Sequence, residues 1–377
     1  MSRIFLSPPH QTGSELEMLQ EVLTSNYLAP TGPMLDRLEA EMIQVADLPY
    51  ALAVSSGTAA LQLAFRHLLD SRVRRDARPP VVIGCTLSFI ASVAPAAQLG
   101  CEIWLVDAEP ESWTLDPIQL QHALTEAGAA GREVCAVVPT DLYGQACDIG
   151  AIEALCRPLN IPVICDSAEA LGVQRSNAAP RTQVFSFNGN KILTCGGGGV
   201  LLSEDGDLVA HARKLSMQAR EPAVHYEHHE LGYNFRLSNL NAAVAVAQLG
   251  SLRDRVRQKR AIHDGYVKRL GDLPGVSFMP EAAWNIPTHW LTVLVLDPVQ
   301  SGTDPETVRR GLEEENIESR PVWKPLHQQP VFSGVPFFGT GCADELYRNG
   351  LCLPSGTALT DADLDRIAAL VRQQIQS

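Results

Sequence analysis

Over the first two thirds of the chain, short apolar runs alternate with segments whose apolar residues recur at helical spacing. VVIGC (81–85), EIWLVD (102–107), VCAVVPT (134–140), IPVICD (161–166) and TQVFSFN (182–188) are continuously apolar, which predicts strands covered on both faces. Between such runs, SSGTAALQLAFRHLL (55–69) carries apolar residues at 61, 64, 65 and 68, the spacing of one helical face. This alternation predicts a mostly parallel α/β sheet flanked by helices. Beyond about residue 250 the texture changes to a charged helix (251–270), an apolar strand HWLTVLVLD (289–297) and two further helices, at 304–317 and 361–375. The expected organisation is a large sheet domain over 1–250 and a smaller α+β domain over 251–377.

Composition narrows the function classes. With 377 residues and 45% hydrophobic content, the chain can bury a sizeable core. No run approaches the roughly 20 apolar residues that span a bilayer, and MSRIFLSPPHQTGSE lacks a secretory apolar run, so the expected location is cytoplasmic. The nine cysteines form no CxxC pair and read as reduced, buried small hydrophobes. A net charge of −13 spread along the chain argues against a nucleic-acid surface. Any anionic ligand must be held by local features.

Three stretches fall where a parallel sheet does its chemistry, at the carboxyl ends of strands. Ser56, Gly57 and Thr58 open a helix and would offer backbone N–H groups, a hydroxyl and the positive end of the helix dipole to a phosphate; an ordinary helix cap is the alternative. Asp166 closes IPVICD, where it would either stabilise a bound cation or cap the following helix. Lys191 stands in SFNGNKILTCGGGGV, five residues after Ser186. It is not a P-loop lysine, because no GxxxxGK[ST] precedes it. An amine in such a setting is a nucleophile towards carbonyls, and the four glycines read as a tight turn between two strands. In HYEHHELGYNFR the histidines 225, 228 and 229 do not fit HExxH, and a solvated loop is expected, with no metal. The order phosphate turn, strand-end aspartate, Ser-x4-Lys matches the phosphate, pyridine nitrogen and aldehyde of pyridoxal 5′-phosphate (PLP). A dinucleotide oxidoreductase would need a GxGxxG turn after its first strand, which is absent there.

At this level the chain resembles the DegT/DnrJ class of PLP-dependent sugar-nucleotide aminotransferases. The motifs that carry the resemblance are SNYLAPTGPMLDRLEAE, SSGTAAL, TLSFIASV, DLYGQACD, CDSAEALG, SFNGNKILTCGGGGV, GYNFRLSNLNAAVAVAQL and RPVWKPLHQQPVF. It implies a fold-type-I architecture with a seven-stranded large domain and a smaller C-terminal domain, in a homodimer with shared active sites. It further implies that Lys191 binds the cofactor covalently and shuttles protons, and that Asp166 pairs with the pyridinium. Glu169 then lies near the 3-hydroxyl and Phe89 on the ring. Ser56, Gly57, Thr58, Ser186 and Asn188 join the cofactor-binding set, with Asn234 reaching in from the other subunit. Phe89 as plain core and Asn234 as a loop cap are the structural alternatives. Because the lysine is kept where related dehydratases carry histidine, transamination from glutamate is implied. The wording IFLSPPHQTGSE, SNYLAPTGP and SFNGNK is most similar to enzymes of UDP-linked 4-keto-6-deoxy-N-acetyl sugars of bacillosamine type, with GDP- or dTDP-linked keto sugars, aminated at the 4- or 3-position, as the alternative. Asn26, Tyr27, Trp323, Lys324 and His327 are the substrate-contact candidates, though Tyr27 and Trp323 could equally pack and Lys324 meet water. A non-catalytic PLP-fold regulator is the remaining reading, and it gives no reason to keep Lys191, Asp166 and the phosphate set together.

Overall fold

Each of the apolar runs expected to be strands in the first 200 residues enters one sheet. The computed structural model describes residues 2–71 and 78–376. Its strands up to residue 203 are β1 (Tyr50–Val54), β2 (Val81–Cys85), β3 (Glu102–Val106), β4 (Val134–Val138), β5 (Cys165–Asp166), β6 (Gln174–Arg175), β7 (Thr182–Ser186) and β8 (Gly199–Ser203). Hydrogen bonds order β1-β8-β7-β5 and β4-β2-β3. Parallel bridges Val137–Val163 and Thr140–Asp166 join the two halves. These strands give the large sheet seven members, to which the later strand Phe337–Phe338 adds an eighth, and among the described residues β8 alone runs antiparallel to its neighbours.

Burial explains the continuous apolar runs. Ile83, Trp104, Phe185 and Leu202 point into one core, while Val82, Leu105, Val184 and Leu201 point into another on the opposite face. Both parities must then be apolar, as expected of a sheet covered twice. IPVICD is the exception in length: only Cys165 and Asp166 form regular strand. Pro139 and Pro162 accept hydrogen bonds from Asp166 and Val137, but neither proline has an N–H to return, so the ladder between β4 and β5 is broken into single bridges.

The later strands are β9 (Val276–Phe278), β10 (Asn285–Ile286), β11 (Thr292–Leu296), β12 (Arg320–Pro321), β13 (Phe337–Phe338) and β14 (Gly350–Leu353). β12-β14-β11-β9 make an antiparallel sheet. It packs with the helices Leu252–Leu270, Pro305–Glu314 and Asp361–Gln376 around a third core that includes Tyr266, Leu294, Leu312 and Ile367. The linking helix serves both lobes: Leu252 lies in the large core, whereas Ile262, Tyr266 and Leu270 lie in the third. We propose a division of the chain near residue 250, with three exchanges across it, one of which is the antiparallel pairing of β10 with β6. Ile4 bridges Ile317, and the Ser355 N–H donates to the Leu6 carbonyl at 2.6 Å, so the first residues join the second lobe. In return β13 adds to the β3 edge of the large sheet. The nine cysteines are free thiols. Among the described residues no helix is long and apolar enough to cross a membrane.

The glycine run finds its reason in β8. A Cβ at Gly199 would stand 2.6 Å from the Gly57 nitrogen and 2.7 Å from the Phe185 oxygen, both backbone atoms that cannot swing away. Gly199→Ala is expected to cost about 1–3 kcal/mol through this overpacking, seen as a lower urea midpoint at unchanged slope. A midpoint equal to wild type would contradict the close approach of β8 to the helix Gly57–Asp70.

Candidate active site

The carboxyl ends of β1, β2, β4, β5 and β7 converge on a cavity of about 360 Å³. Because β8 runs the other way, the residues that lead into it reach the same edge, and Gly197 and Gly198 line the cavity too. Ser56 caps the helix Gly57–Asp70, accepting the Ala59 N–H at 3.0 Å. The N–H groups of Gly57 and Thr58, at the start of that helix, have no intrahelical carbonyl to bond, and both residues line the cavity. A Cβ on Gly57 would come within 3.2 Å of the Ser186 Cβ, so glycine there lets the helix end close on Ser186. Ser186 Oγ accepts the Asn188 N–H at 3.3 Å. Backbone N–H groups, a hydroxyl and a helix dipole at one end of a cavity form an anion site that needs no basic residue.

Two carboxylates occupy the interior. Asp166 is 5% exposed, and its oxygens accept the Ser92 hydroxyl at 2.6 Å and the Ala168 N–H at 3.1 Å. It makes no ion pair among the described residues. Burial raises its pKa, with the Ser92 hydrogen bond opposing; a cation placed beside it would restore the ionised form. Glu169, 4% exposed, accepts the Tyr143 N–H at 2.9 Å and the Trp323 indole N–H at 3.2 Å. Burial raises its pKa as well, opposed chiefly by Lys191, whose amine stands 3.6 Å away.

Aromatic rings enclose the amine. Lys191 Nζ lies 3.9 Å from the Trp290 ring centroid. Tyr143 stacks between Trp290 and Trp323, with centroids 6.4 and 6.2 Å away, and Trp323 meets Phe89 at 5.4 Å. Phe89, 51% exposed, stands at the cavity wall, an aromatic ring of the kind on which a planar group can stack. The Tyr143 hydroxyl accepts the Trp323 N–H at 2.8 Å, and Tyr143 itself has φ +51°. Gly144, at φ +101°, lets that turn press on the Trp290 backbone: a Cβ there would sit 2.6 Å from the Trp290 nitrogen.

The structure therefore brings together Ser56, Gly57, Thr58, Phe89, Asp166, Glu169, Ser186, Asn188, Lys191 and Trp323 at one cavity. Ser56 presents its residue there, but its hydroxyl is engaged as the helix cap. Lys324 lies in a neighbouring cavity of about 790 Å³, which shares Asn190, Trp290 and Trp323 with the first. His327 lines neither cavity. Its ring stacks on Phe337 at 3.9 Å, with Nδ1 2.8 Å from the Thr86 hydroxyl and Nε2 3.0 Å from Asp344. Asn26, Tyr27 and Asn234 are exposed and lie outside both cavities of their own chain. In the HYEHHE loop, His225 and His229 are exposed and both bond Glu227, at 2.8 Å each. Sequence reasoning missed Trp290, Tyr143 and the serines around Asp166. Ser92 stands within TLSFIASV, a motif whose role was read only through Phe89.

PLP fits this donor set. Its phosphate would meet the Gly57–Thr58 helix end and Ser186, its ring nitrogen the unpaired Asp166 carboxylate, and its aldehyde the Lys191 amine, in a cavity of ordinary small-ligand size.

Comparison with known proteins agrees with the geometry. The model of the DegT/DnrJ/EryC1/StrS aminotransferase family matches residues 9–372. The putative pyridoxal phosphate-dependent aminotransferase EpsN of Bacillus subtilis is 41% identical over 375 residues, covering 97% of this chain and 94% of that protein. GDP-perosamine synthase of Caulobacter vibrioides is 30% identical over 379 residues, covering 99% and 98%. The structure of DesI in the presence of its TDP-sugar product superposes with a TM-score of 0.88 at 25% identity, covering 100% of this chain and 93% of that one.

The raised Asp166 pKa has a testable sign. Without a ligand, the folded protein holds a proton on Asp166 at pH values where the unfolded chain has released it. The resulting stabilisation is complete below the unfolded carboxylate range and is lost as pH rises through the folded pKa. Asp166→Asn removes this dependence. In cofactor-free protein the variant is expected to melt at or above wild type at about pH 8, with the difference shrinking as pH falls towards about 4. A variant that melts well below wild type at the higher pH would remove the buried-charge penalty from the account.

Proposed function

The chain belongs to the DegT/DnrJ/EryC1/StrS aminotransferase family, and from that premise we propose that it transfers an amino group from L-glutamate to the 4-keto carbon of a nucleotide-linked 4-keto-6-deoxy sugar. The sugar nucleotide proposed is UDP-linked and N-acetylated, and the product is its 4-amino counterpart. That the protein is a PLP-dependent sugar aminotransferase follows from the family. The observation that carries the site assignment is the convergence of one amine, one unpaired buried carboxylate and one helix N-terminus on a single cavity.

Bound PLP supplies an aldehyde that exchanges amines and a ring that withdraws electrons. In our reading Lys191 Nζ would hold the cofactor and, once freed, would act as general base by taking the proton from the substrate carbon that bears the amine and as general acid by giving that proton back. Asp166 would favour a protonated ring nitrogen by supplying the opposite charge in a buried setting. Ser92 and the Ala168 N–H orient that carboxylate. Glu169 stands as counter-charge to the Lys191 amine. Phe89 would cover the ring, and the Trp290, Tyr143 and Trp323 rings would shield the other side of the amine from water. The larger adjoining cavity, with Lys324 and Arg320 on its wall, is our proposed seat for the nucleotide portion.

A homodimer is part of the same reading. Tyr27, Leu28, Val224, Tyr226 and Leu231 are exposed apolar side chains near Asn26 and Asn234 in sequence, and a second copy covering them would bring Asn234 to the partner's site. A cytoplasmic setting suits the nine free thiols. The second reading, a GDP-linked keto sugar, is favoured by the GDP-perosamine synthase relatives.

A panel of UDP-, GDP- and dTDP-linked 4-keto-6-deoxy sugars with glutamate, read by mass spectrometry, tests the substrate. Amination of the UDP-N-acetyl member is the expected result, and a turnover confined to the GDP member would replace it with the second reading. Lys191→Ala is expected to lose at least about 10²–10⁴-fold in turnover, the scale of a lost general acid–base group. An Asn234→Ala subunit mixed with a Lys191→Ala subunit should regain activity if the sites are shared; no recovery under verified subunit exchange would refute the shared site.

A further inference from the structure

Lys259, on the Leu252–Leu270 helix, is 3% exposed and is bonded to no carboxylate among the described residues. Its amine instead donates to three oxygens: Ser7 Oγ at 3.1 Å, the Trp290 carbonyl at 2.9 Å and the Ser355 carbonyl at 2.6 Å. Three acceptors match the three N–H groups of an ammonium. Burial works against that charged form and pulls the pKa down to about 7. An apolar side chain would fill the space without this cost but would leave two buried carbonyls unpaired.

The chain of bonds continues towards the cofactor cavity. Ser7 Oγ donates to the Asn190 carbonyl at 2.9 Å, and the Trp290 indole N–H donates to the same oxygen at 2.7 Å. That carbonyl belongs to the peptide unit leading into Lys191, and the Trp290 ring is the one against the Lys191 amine. Asn190 and Trp290 also form part of the wall shared by the two cavities. We propose that Lys259 is a positioning residue for Lys191: by binding Ser7 and the Trp290 backbone together, it fixes the Asn190–Lys191 peptide plane and the indole beside the amine. The inference rests on the reading of Lys191 as the residue that holds PLP.

The test uses the holoenzyme. Borohydride reduction and peptide mapping of wild type come first; fixation at a residue other than Lys191 overturns that role and this inference with it. With Lys191 labelled, the pH midpoint of the bound cofactor's visible absorption is measured for Ser7→Ala, Lys259→Met and the double variant, alongside kcat, KM and melting temperature. Lys259→Gln serves where Lys259→Met does not fold. The expected result is a displaced midpoint and a kcat lowered about tenfold at similar KM in both single variants, since small misplacement of a reacting group costs up to about 10²-fold. The double variant should be displaced no further than Lys259→Met alone, because the two residues act in one chain of bonds. Variants that lose melting temperature while keeping the wild-type midpoint and kcat would reduce Lys259 to a structural staple and overturn the proposal, as would strictly additive effects.

Discussion

The buried carboxylate of Glu169 is the contact on which the site's shape depends. Removing a carboxylate from water costs several kcal/mol unless its oxygens find donors and a counter-charge. Here the donors come from two distant parts of the chain, the Tyr143 N–H after β4 and the Trp323 indole after β12, and the cation is Lys191 after β7. One side chain thus ties the large sheet to the second lobe and aims the amine between them. Tyr143 offers its N–H from a turn in the left-handed conformation, and Gly144 can follow because it has no Cβ to strike the Trp290 backbone. The same turn sets Tyr143 between the rings of Trp290 and Trp323.

The direction of the strands does the rest. Parallel strands deliver the ends of β1, β2, β4, β5 and β7 to one edge, and β8, running the other way, begins at that edge. The anion site is built from backbone N–H groups and hydroxyls, which suits a chain of net charge −13. The charge balance of the whole surface and the charge preference of the cavity are therefore independent.

Legibility in the sequence followed locality. The runs at 81–85, 102–107, 134–140 and 182–188 became strands at nearly the expected bounds, because burial on both faces leaves an apolar signature that needs no knowledge of partners. IPVICD was shortened by prolines that lack a donor, a loss that shows only when the neighbouring strand is known. Asp166, Ser186 and Lys191 could be named because each stands in a short motif near a strand end, whereas Glu169 was implied only by the family resemblance. Trp290 could not: HWLTVLVLD reads as apolar strand, and nothing local marks the tryptophan as the ring beside an amine 99 positions away. His327 illustrates the converse. Its motif invites a ligand contact, yet its ring is held by Phe337, Thr86 and Asp344, partners separated from it by up to 241 residues.

What the sequence by itself determined is the alternation that makes a doubly covered parallel sheet, the motif order that matches PLP, and the family. Tertiary structure alone decided which faces meet: that the first residues of the chain join the second lobe, that a lysine on the linking helix lies behind the Trp290 backbone, and that two cavities share one wall. The physical reason is range. Strand burial, helix capping and glycine turns are read from neighbours a few residues apart, whereas the buried amine of Lys259 has acceptors 252, 31 and 96 residues away, and only the folded chain brings them within hydrogen-bonding reach.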